Sequence, residues 1–442
     1  MSLASSCDGG NILAFPVDGS HWINMKVLLE ELHSRGHSLT VIRGSTSCTS
    51  QSTPLSTPLS LSPYIHKKHQ RFSSDDQPGS WIWCEAVEKI LKDKEMVKSL
   101  LDAKYDLMLT DPAIAPGVVL AKYLQLPLVL NVRWVTSSDG QFMLAPSPLS
   151  YIPVPGSGLT DRMDFFQRVK NILFYGLTLV QQYFLVGPSY DALCEKYIEG
   201  GCDIVSLLQD ADIWLFRSDF VFDFPRPTMP NVIYMGGFQC KPAQPLPADL
   251  EDFVQMADEI ASVFAKLPQK VIWRHIGPRP STLGNNTMIV DWMPQKDLLG
   301  HSQTKVFVAH GGTNGVQEAI YHGVPVLGIP LFFDQFDNLL RLQSRGELLH
   351  QHDYRDNIQR LSRLHKDQPM SPMDQAVFWV EFVIRHKGAP HLRTQSYKMP
   401  WYSYHCVDVL LLLLTAVIGT VLCAVAVFRL LCCRSRTKMK QQ

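Results

Sequence analysis

Three features of the sequence predict an α/β chain of two doubly wound domains followed by one membrane-spanning helix. Short apolar runs alternate with helical stretches through both halves, a pattern that argues for mostly parallel sheets with helices on both faces. Pro242, Pro245 and Pro247 lie between the halves and give that stretch the stiffness of an interdomain linker. Near the C-terminus, Val409 to Phe428 is free of charge, long enough at ~1.5 Å per residue to cross a hydrocarbon core of about 30 Å. A chain of 442 residues has room for two cores of its own.

The first half opens with an apolar run, Asn11 to Pro16, and a loop, Val17 to Trp22. Helical spacing at Val27, Leu28, Glu31 and Leu32 then predicts a helix from Asn24 to Arg35. Gly36 ends it, and Ser38 to Arg43 reads as a second strand, making a βαβ opening. Thr46 to Leu61 is rich in Ser, Thr and Pro and reads as a loop. Further strands are expected at Tyr105–Asp111, Leu126–Val132, Asp212–Ser218 and Asn231–Gly237, with a helix at Pro116–Leu124. Leu159 to Leu185 is apolar at helical spacing, but Arg162, Asp164, Arg168 and Lys170 interrupt it, so it does not read as a second span. Two readings stay open for it: core helix, or a membrane-apposed surface beside a lipophilic entrance. Beyond the linker the pattern gives a helix at Glu251–Leu267 and strands at Lys270–Arg274, Met288–Trp292, Val306–His310 and Val324–Ile329. The expected organisation is thus residues 1–241, 242–403, a membrane helix at 404–431 and a basic tail at 432–442.

Composition narrows the function classes. The chain carries 41 basic and 41 acidic residues, so no global field points to nucleic acid. Ten cysteines are scattered without a C-x-x-C pair; neither a metal site nor a dense disulfide framework is indicated. Cys432 and Cys433 are candidates for palmitoylation. Asp408 precedes the apolar stretch, whereas Arg429, Arg434, Arg436, Lys438 and Lys440 follow it, which puts the tail in the cytosol and the bulk of the chain on the other side. Lys438 and Lys440 resemble a dilysine retrieval signal of the endoplasmic reticulum. Met1 to Gly10 is polar, without the apolar core of a signal peptide, so either a leader is missing from this sequence or the C-terminal helix directs insertion. Asn285-Asn-Thr287 is a glycosylation sequon.

The chemistry concentrates between Asp291 and Asn338. The apolar strand Val306–His310 runs into Gly311-Gly312-Thr313-Asn314-Gly315 and then a helix. Unpaired N–H groups and the helix dipole there favour phosphate oxygens. The Lys and Ser/Thr of a Walker loop are missing, as is the G-x-G-x-x-G nicotinamide fingerprint. Trp292 and Gln295 follow the preceding strand and offer an aromatic face and an amide to a base. Asp334 and Gln335 follow the next strand and suit sugar hydroxyls. All three sites fall at carboxyl ends of consecutive strands, where α/β sheets bind ligands.

The run Trp292-x-x-Gln295, Ala309-His-Gly-Gly-Thr-Asn314, Glu318, Gly323-x-Pro325, Pro330, Asp334-Gln335 resembles the nucleotide-sugar signature of the UDP-glycosyltransferases. The resemblance extends from Asn11 to the tail and is closest to the vertebrate UDP-glucuronosyltransferases. It implies the GT-B fold of two facing doubly wound Rossmann-like domains, acceptor-binding first and UDP-sugar-binding second. It also implies inverting transfer of glucuronic acid from the co-substrate UDP-glucuronate to a lipophilic hydroxyl, amine or carboxylate, without a metal or other cofactor. By the same resemblance Trp292 stacks on uracil, Gln295 binds the uridine, His310 with Gly311, Gly312, Thr313 and Asn314 holds the diphosphate, Glu318 takes the ribose, and Asp334 and Gln335 read the sugar. His21 becomes the general base and Asp111 its carboxylate partner. UDP-glucose, UDP-xylose and UDP-N-acetylglucosamine stay open as donors, as do homo- or hetero-oligomers with related transferases.

The chain departs from this pattern in three places. No strand and Ser/Gly-rich turn precede the helix at Asp258–Leu267, the chain falls short after Leu349 where the family has a further strand and helix before the helix matching Asn357–Lys366, and Ser45 to Glu85 is short and atypical. Loss of an internal strand exposes neighbouring edges and removes core. A second expectation is therefore a catalytically impaired family member that binds and modulates active transferases.

Overall fold

The computed structural model describes residues 9–17, 20–44, 57–61, 80–113, 116–133, 140–241, 257–275, 279–331, 334–345 and 354–439. The expected Pro242–Pro247 linker and Lys440 lie outside them. Residues Met1–Leu392 form one compact unit and Arg393–Gln442 a second.

In the first half, β1 (Asn11–Phe15), β2 (Ser38–Gly44), β3 (Thr57–Leu61), β4 (Leu107–Thr110), β5 (Leu128–Val132), β6 (Ile213–Phe216) and β7 (Val232–Tyr234) make one sheet in the order β3-β2-β1-β4-β5-β6-β7. Every pairing is parallel. Strands β4, β5 and β6 are buried along their whole length, as a sheet covered on both faces requires. Two expectations are corrected. Thr57–Leu61 is a strand, not part of a loop, with Pro58 opposite Val41; it is an edge strand, where a missing N–H is tolerated. The loop expected at Val17–Trp22 gives way to a helix at Ser20, so His21 and Trp22 sit in its first turn.

In the second half the described strands do not join into one sheet. β8 (Val271–Arg274) pairs with β9 (Thr287–Val290), and β10 (Phe307–Ala309) pairs with β11 (Val326–Gly328), as two separate two-stranded sheets. Among the described residues no strand lies between β7 and β8. Ile272, Met288, Val308 and Leu327 are exposed apolar side chains on these strands. The core of this half gathers Val316, Ala319 and Ile320 of the helix Thr313–His322 with Val326, Leu339, Leu342, Ile358 and Leu361.

Each half also lends an element to the other. Phe222, from the segment after β6, is buried in the second core, with Arg341 over its ring at 5.6 Å. In return Ala376, Val377, Val380 and Val383 of the helix Pro372–His386 pack among Ile12, Leu29 and Met235 of the first. Cys194 and Cys202 form a disulfide. In the second unit the helix Val407–Met439 contains the apolar window Val407–Phe428, 22 residues long enough to cross a membrane.

Candidate active site

His21 enters the site because the apolar strand β1 ends at Phe15 and the chain turns into the helix Ser20–Ser34, whose Met25, Leu28, Leu29 and Leu32 bury against the sheet. Asp111 follows β4 directly. The two side chains meet across the sheet's carboxyl ends, His21 Nδ1 lying 2.7 Å from Asp111 Oδ2, with His21 buried and Asp111 fully buried. Burial pushes the Asp111 carboxyl up, but the charge and hydrogen bond of His21, the charge of Arg217 and the Ala113 N–H outweigh it. The group stays below the usual carboxylate range.

Arg217 is a member of this cluster that sequence reasoning missed. It follows β6, is buried, and reaches within 3.4 Å of Asp111 Oδ2 and 3.3 Å of His21 Nδ1. Burial draws its guanidinium down to about 10, against the pull of Asp111 and with the repulsion of Arg133. A signal was available: an arginine closing the apolar strand Ile213–Phe216 is out of keeping with its neighbours.

On the facing side, β10 delivers the chain to His310 and the turn beyond it. Gly311 has φ +84°, a left-handed conformation that glycine adopts freely. A Cβ there would lie 2.7 Å from Leu339 Cγ, and one at Gly312 would lie 2.7 Å from His310 Nε2. Gly312 caps the helix Thr313–His322 without any side-chain hydrogen bond, as at any helix start whose first N–H groups have no intrahelical acceptor. His310 is exposed beside it.

The flanking residues divide into two groups. Gln295 Nε2 donates to Glu318 Oε2 at 2.8 Å, and burial raises the Glu318 carboxyl above its ordinary range although Gln295 and Lys296 oppose the shift. Trp292 is exposed, with the Arg274 guanidinium 5.9 Å from its ring centroid. Asp334 Oδ2 gathers Thr313 Oγ1 at 2.7 Å, Asn338 Nδ2 at 2.9 Å and Arg133 at 3.4 Å. Burial acts to raise Asp334, but Arg133 and these hydrogen bonds lower it overall. Gln335 is buried, its side-chain oxygen accepting the Leu331 N–H.

The two sides touch. Asn24, one turn beyond His21 on the same helix, donates to Asn314 Oδ1 at 2.8 Å. Arg133, after β5, reaches Asp334. Gln239 and Gln317 are hydrogen-bonded, and Gln317 donates onward to the Arg217 carbonyl. His365 Nδ1 lies 2.6 Å from Asp219 Oδ2. A buried imidazole–carboxylate pair is thereby held beside an uncapped helix N-terminus. Among the described residues no group of three or more His, Cys, Asp or Glu side chains could hold a metal ion.

A buried imidazole–carboxylate pair and a glycine turn at a helix start are thus brought together by two α/β halves. A family model for UDP-glucoronosyl and UDP-glucosyl transferase matches residues 10–71, 66–259, 255–350 and 342–442, and the chain belongs to that family. It is 37% identical over 483 residues to human UDP-glucuronosyltransferase 2A2, covering 92% of this chain and 89% of the relative. To mouse UDP-glucuronosyltransferase 2B17 it is 35% identical over 518 residues, covering 98% and 96%. An alignment of 518 positions on 442 residues includes segments of the relative that this chain lacks. The glycosyltransferase of kitacinnamycin, a solved structure, matches at a TM-score of 0.59 and 16% identity, over 85% of this chain and 99% of that one. The fold is GT-B.

Proposed function

We propose that the chain transfers glucuronic acid from UDP-glucuronate to a lipophilic acceptor bearing a hydroxyl, amine or carboxylate, with inversion at the anomeric carbon. One observation carries the reading: the buried His21–Asp111 pair sits one helical turn from the Asn24–Asn314 contact. With Nδ1 turned to Asp111, His21 acts as the general base that takes the acceptor's proton. The acceptor oxygen then bonds to the anomeric carbon as the bond to UDP breaks, and Asp111 stabilises the imidazolium. Charge leaving on UDP falls to the N–H groups of Gly312, Thr313 and Asn314 and to His310, preorganised donors of the kind worth a few kcal/mol each, roughly.

In the same reading Trp292 stacks on uracil, the linked Gln295 and Glu318 take uridine and ribose, and Asp334 offers a sugar hydroxyl the oxygen that Thr313 and Asn338 leave unused. Gln335 supports that turn from below. Residues 1–241 supply the acceptor side and 242–403 the donor side, apart from the helix Pro372–His386, which packs on the acceptor sheet. The family, the one membrane-length apolar helix among the described residues and the basic tail support a single-pass protein of the endoplasmic reticulum with both domains luminal. Microsomes expressing the chain, supplied with several UDP-sugars and pooled phenols, steroids and amines, should yield conjugates heavier by the mass of a glucuronyl residue. Conjugates carrying only another sugar would replace the donor, and none with any sugar would sink the reading.

A further inference from the structure

Three neighbouring strands of the first sheet, β4, β5 and β6, end side by side, and a charged residue follows each. Asp111 leaves β4, Arg133 leaves β5 and Arg217 leaves β6. Val132 pairs with Phe216, and the Arg217 N–H donates to the Val132 carbonyl at 2.9 Å, so the two arginines stand next to each other. Like charges so placed repel. Burial foremost, and Arg133 with it, draws the Arg217 guanidinium down although Asp111 opposes them. A wall that sets two cations against one buried carboxylate carries a surplus of positive charge at a cost in desolvation, and charge kept at such a cost marks a functional site. Arg217 lies against Asp111 and His21 and belongs to that pair. Arg133 instead reaches the facing half, its Nη2 3.4 Å from Asp334 Oδ2, with only 14% of its side chain exposed.

We propose that Arg133 reads the carboxylate of the donor sugar and so selects UDP-glucuronate over neutral UDP-sugars. The inference rests on the donor site proposed above, in which Asp334 meets a sugar hydroxyl. A hexuronate carries its carboxylate on a ring carbon adjacent to a hydroxyl-bearing one, so a sugar whose hydroxyl meets Asp334 brings its carboxylate to the cation touching that same oxygen. UDP-glucose, UDP-xylose and UDP-N-acetylglucosamine have no carboxylate to offer. The guanidinium suits the task by its shape. Its planar fork carries five N–H donors, and an edge of that fork meets a carboxylate in two parallel bonds while one nitrogen stays on Asp334. The contact with Asp334 is long beside the roughly 2.7–2.9 Å of a charge-assisted bond. Thr313 and Asn338 already hold that carboxyl at 2.7 and 2.9 Å, so the turn does not depend on Arg133. Behind the arginine, β5 is buried over all five residues, which fixes the guanidinium at a rigid strand end.

The test is calorimetric titration of the full detergent-solubilised chain, without acceptor, with UDP, UDP-glucose and UDP-glucuronate. The unaltered chain should bind UDP-glucuronate about tenfold or more tighter than UDP-glucose. Arg133→Gln keeps a polar group near Asp334 but no charge. It should weaken UDP-glucuronate by about 10–100-fold and hold UDP and UDP-glucose within about twofold, so that the preference disappears. Arg133→Lys should restore part of it, since a point charge remains without the fork. Equal losses for both sugars in Arg133→Gln would overturn the proposal and leave the arginine as a support for Asp334. A preference that survives the substitution would overturn it and keep the glucuronate donor. An unaltered chain that binds UDP but does not distinguish the two sugars would overturn it and leave the UDP site standing, whereas one that binds no UDP would remove both. Benzoate, titrated onto the UDP-loaded chain, checks the other source of a carboxylate. Its loss in Arg133→Gln with the donor preference intact would overturn the proposal in favour of an acidic acceptor.

Discussion

The proposed acceptor half and the proposed donor half are built on the same βα plan, yet among the described residues only one has a continuous sheet. In the first, seven described strands run parallel without a break, and the strands that lead into Asp111 and Arg217 are buried throughout. In the second, four strands form two separate pairs, and β8 and β10 alternate between partly covered and exposed positions. Local motif and global support are thus separable. The Gly311–Asn314 turn keeps its geometry because Leu339 and the helix Thr313–His322 pack beneath it, not because the sheet around it is whole.

The largest expected contrast is chemical. His21→Ala removes the proton acceptor and should lower turnover by roughly 10²–10⁴-fold, leaving UDP affinity within about twofold because the variant lies outside the UDP contacts proposed above. His310→Ala should do the reverse in a binding titration, losing UDP affinity. If both variants lost UDP binding equally, the division of labour between the halves would be wrong.

Stability should divide the same way. Leu130→Ala, in a fully buried strand, is expected to cost about 2–5 kcal/mol, whereas Leu327→Ala, 39% exposed on β11, should cost less than about 1 kcal/mol. Phe222→Ala should be as severe as Leu130→Ala, about 3–5 kcal/mol, because its ring belongs to the donor core although its backbone belongs to the acceptor half. Denaturant unfolding of the detergent-solubilised chain measures all three. A costly Leu327→Ala would mean that the split sheet is better covered than its exposure implies.

The acceptor sheet was legible because parallel strands buried on both faces leave runs such as Leu128–Val132, and the donor turn because glycines and an uncapped helix start are local features. The edge strand Thr57–Leu61 was not, since Pro58 and the serines around it carry loop chemistry that only its neighbour β2 overrides. The helix start at Ser20 was hidden by Val17-Asp-Gly-Ser, which reads equally well as a turn. Arg217 and the return of the helix Pro372–His386 to the acceptor core depend on contacts across more than a hundred residues, which periodicity does not encode. The strand expected to be missing before the helix at Asp258–Leu267 falls outside the described residues; that the four described strands of this half pair two by two was not legible.

A smaller effect sharpens the acceptor side. Asp111 is held below its ordinary carboxylate range by His21 and Arg217 in the fold. A carboxylate depressed in the folded state contributes stability that is present above its unfolded value, about 3.9, and is lost as pH falls through the folded one. Asp111→Asn should therefore flatten the acid limb of stability against pH below about 4, read as thermal midpoints across an acid series. An unchanged acid limb would mean that the ion cluster does not act as a unit.

The smallest expected effect is on the donor side and has the opposite sign. Burial raises the Glu318 carboxyl, so the folded state favours its protonated form. Stability is greatest below the unfolded value and declines as pH rises from there through the raised folded one, leaving a constant penalty at neutral pH. Glu318→Gln removes the charge and still offers Gln295 an oxygen to hydrogen-bond. The thermal midpoint at pH 7 should rise by about 1–2 °C, and its pH dependence between mildly acidic and neutral conditions should flatten. UDP affinity should fall in the same variant, because a neutral amide grips two ribose hydroxyls less firmly than a carboxylate. A gain in stability joined to a loss of binding would mark Glu318 as a residue kept for its ligand; a loss of both would mean that its carboxylate is part of what holds the reduced donor half together.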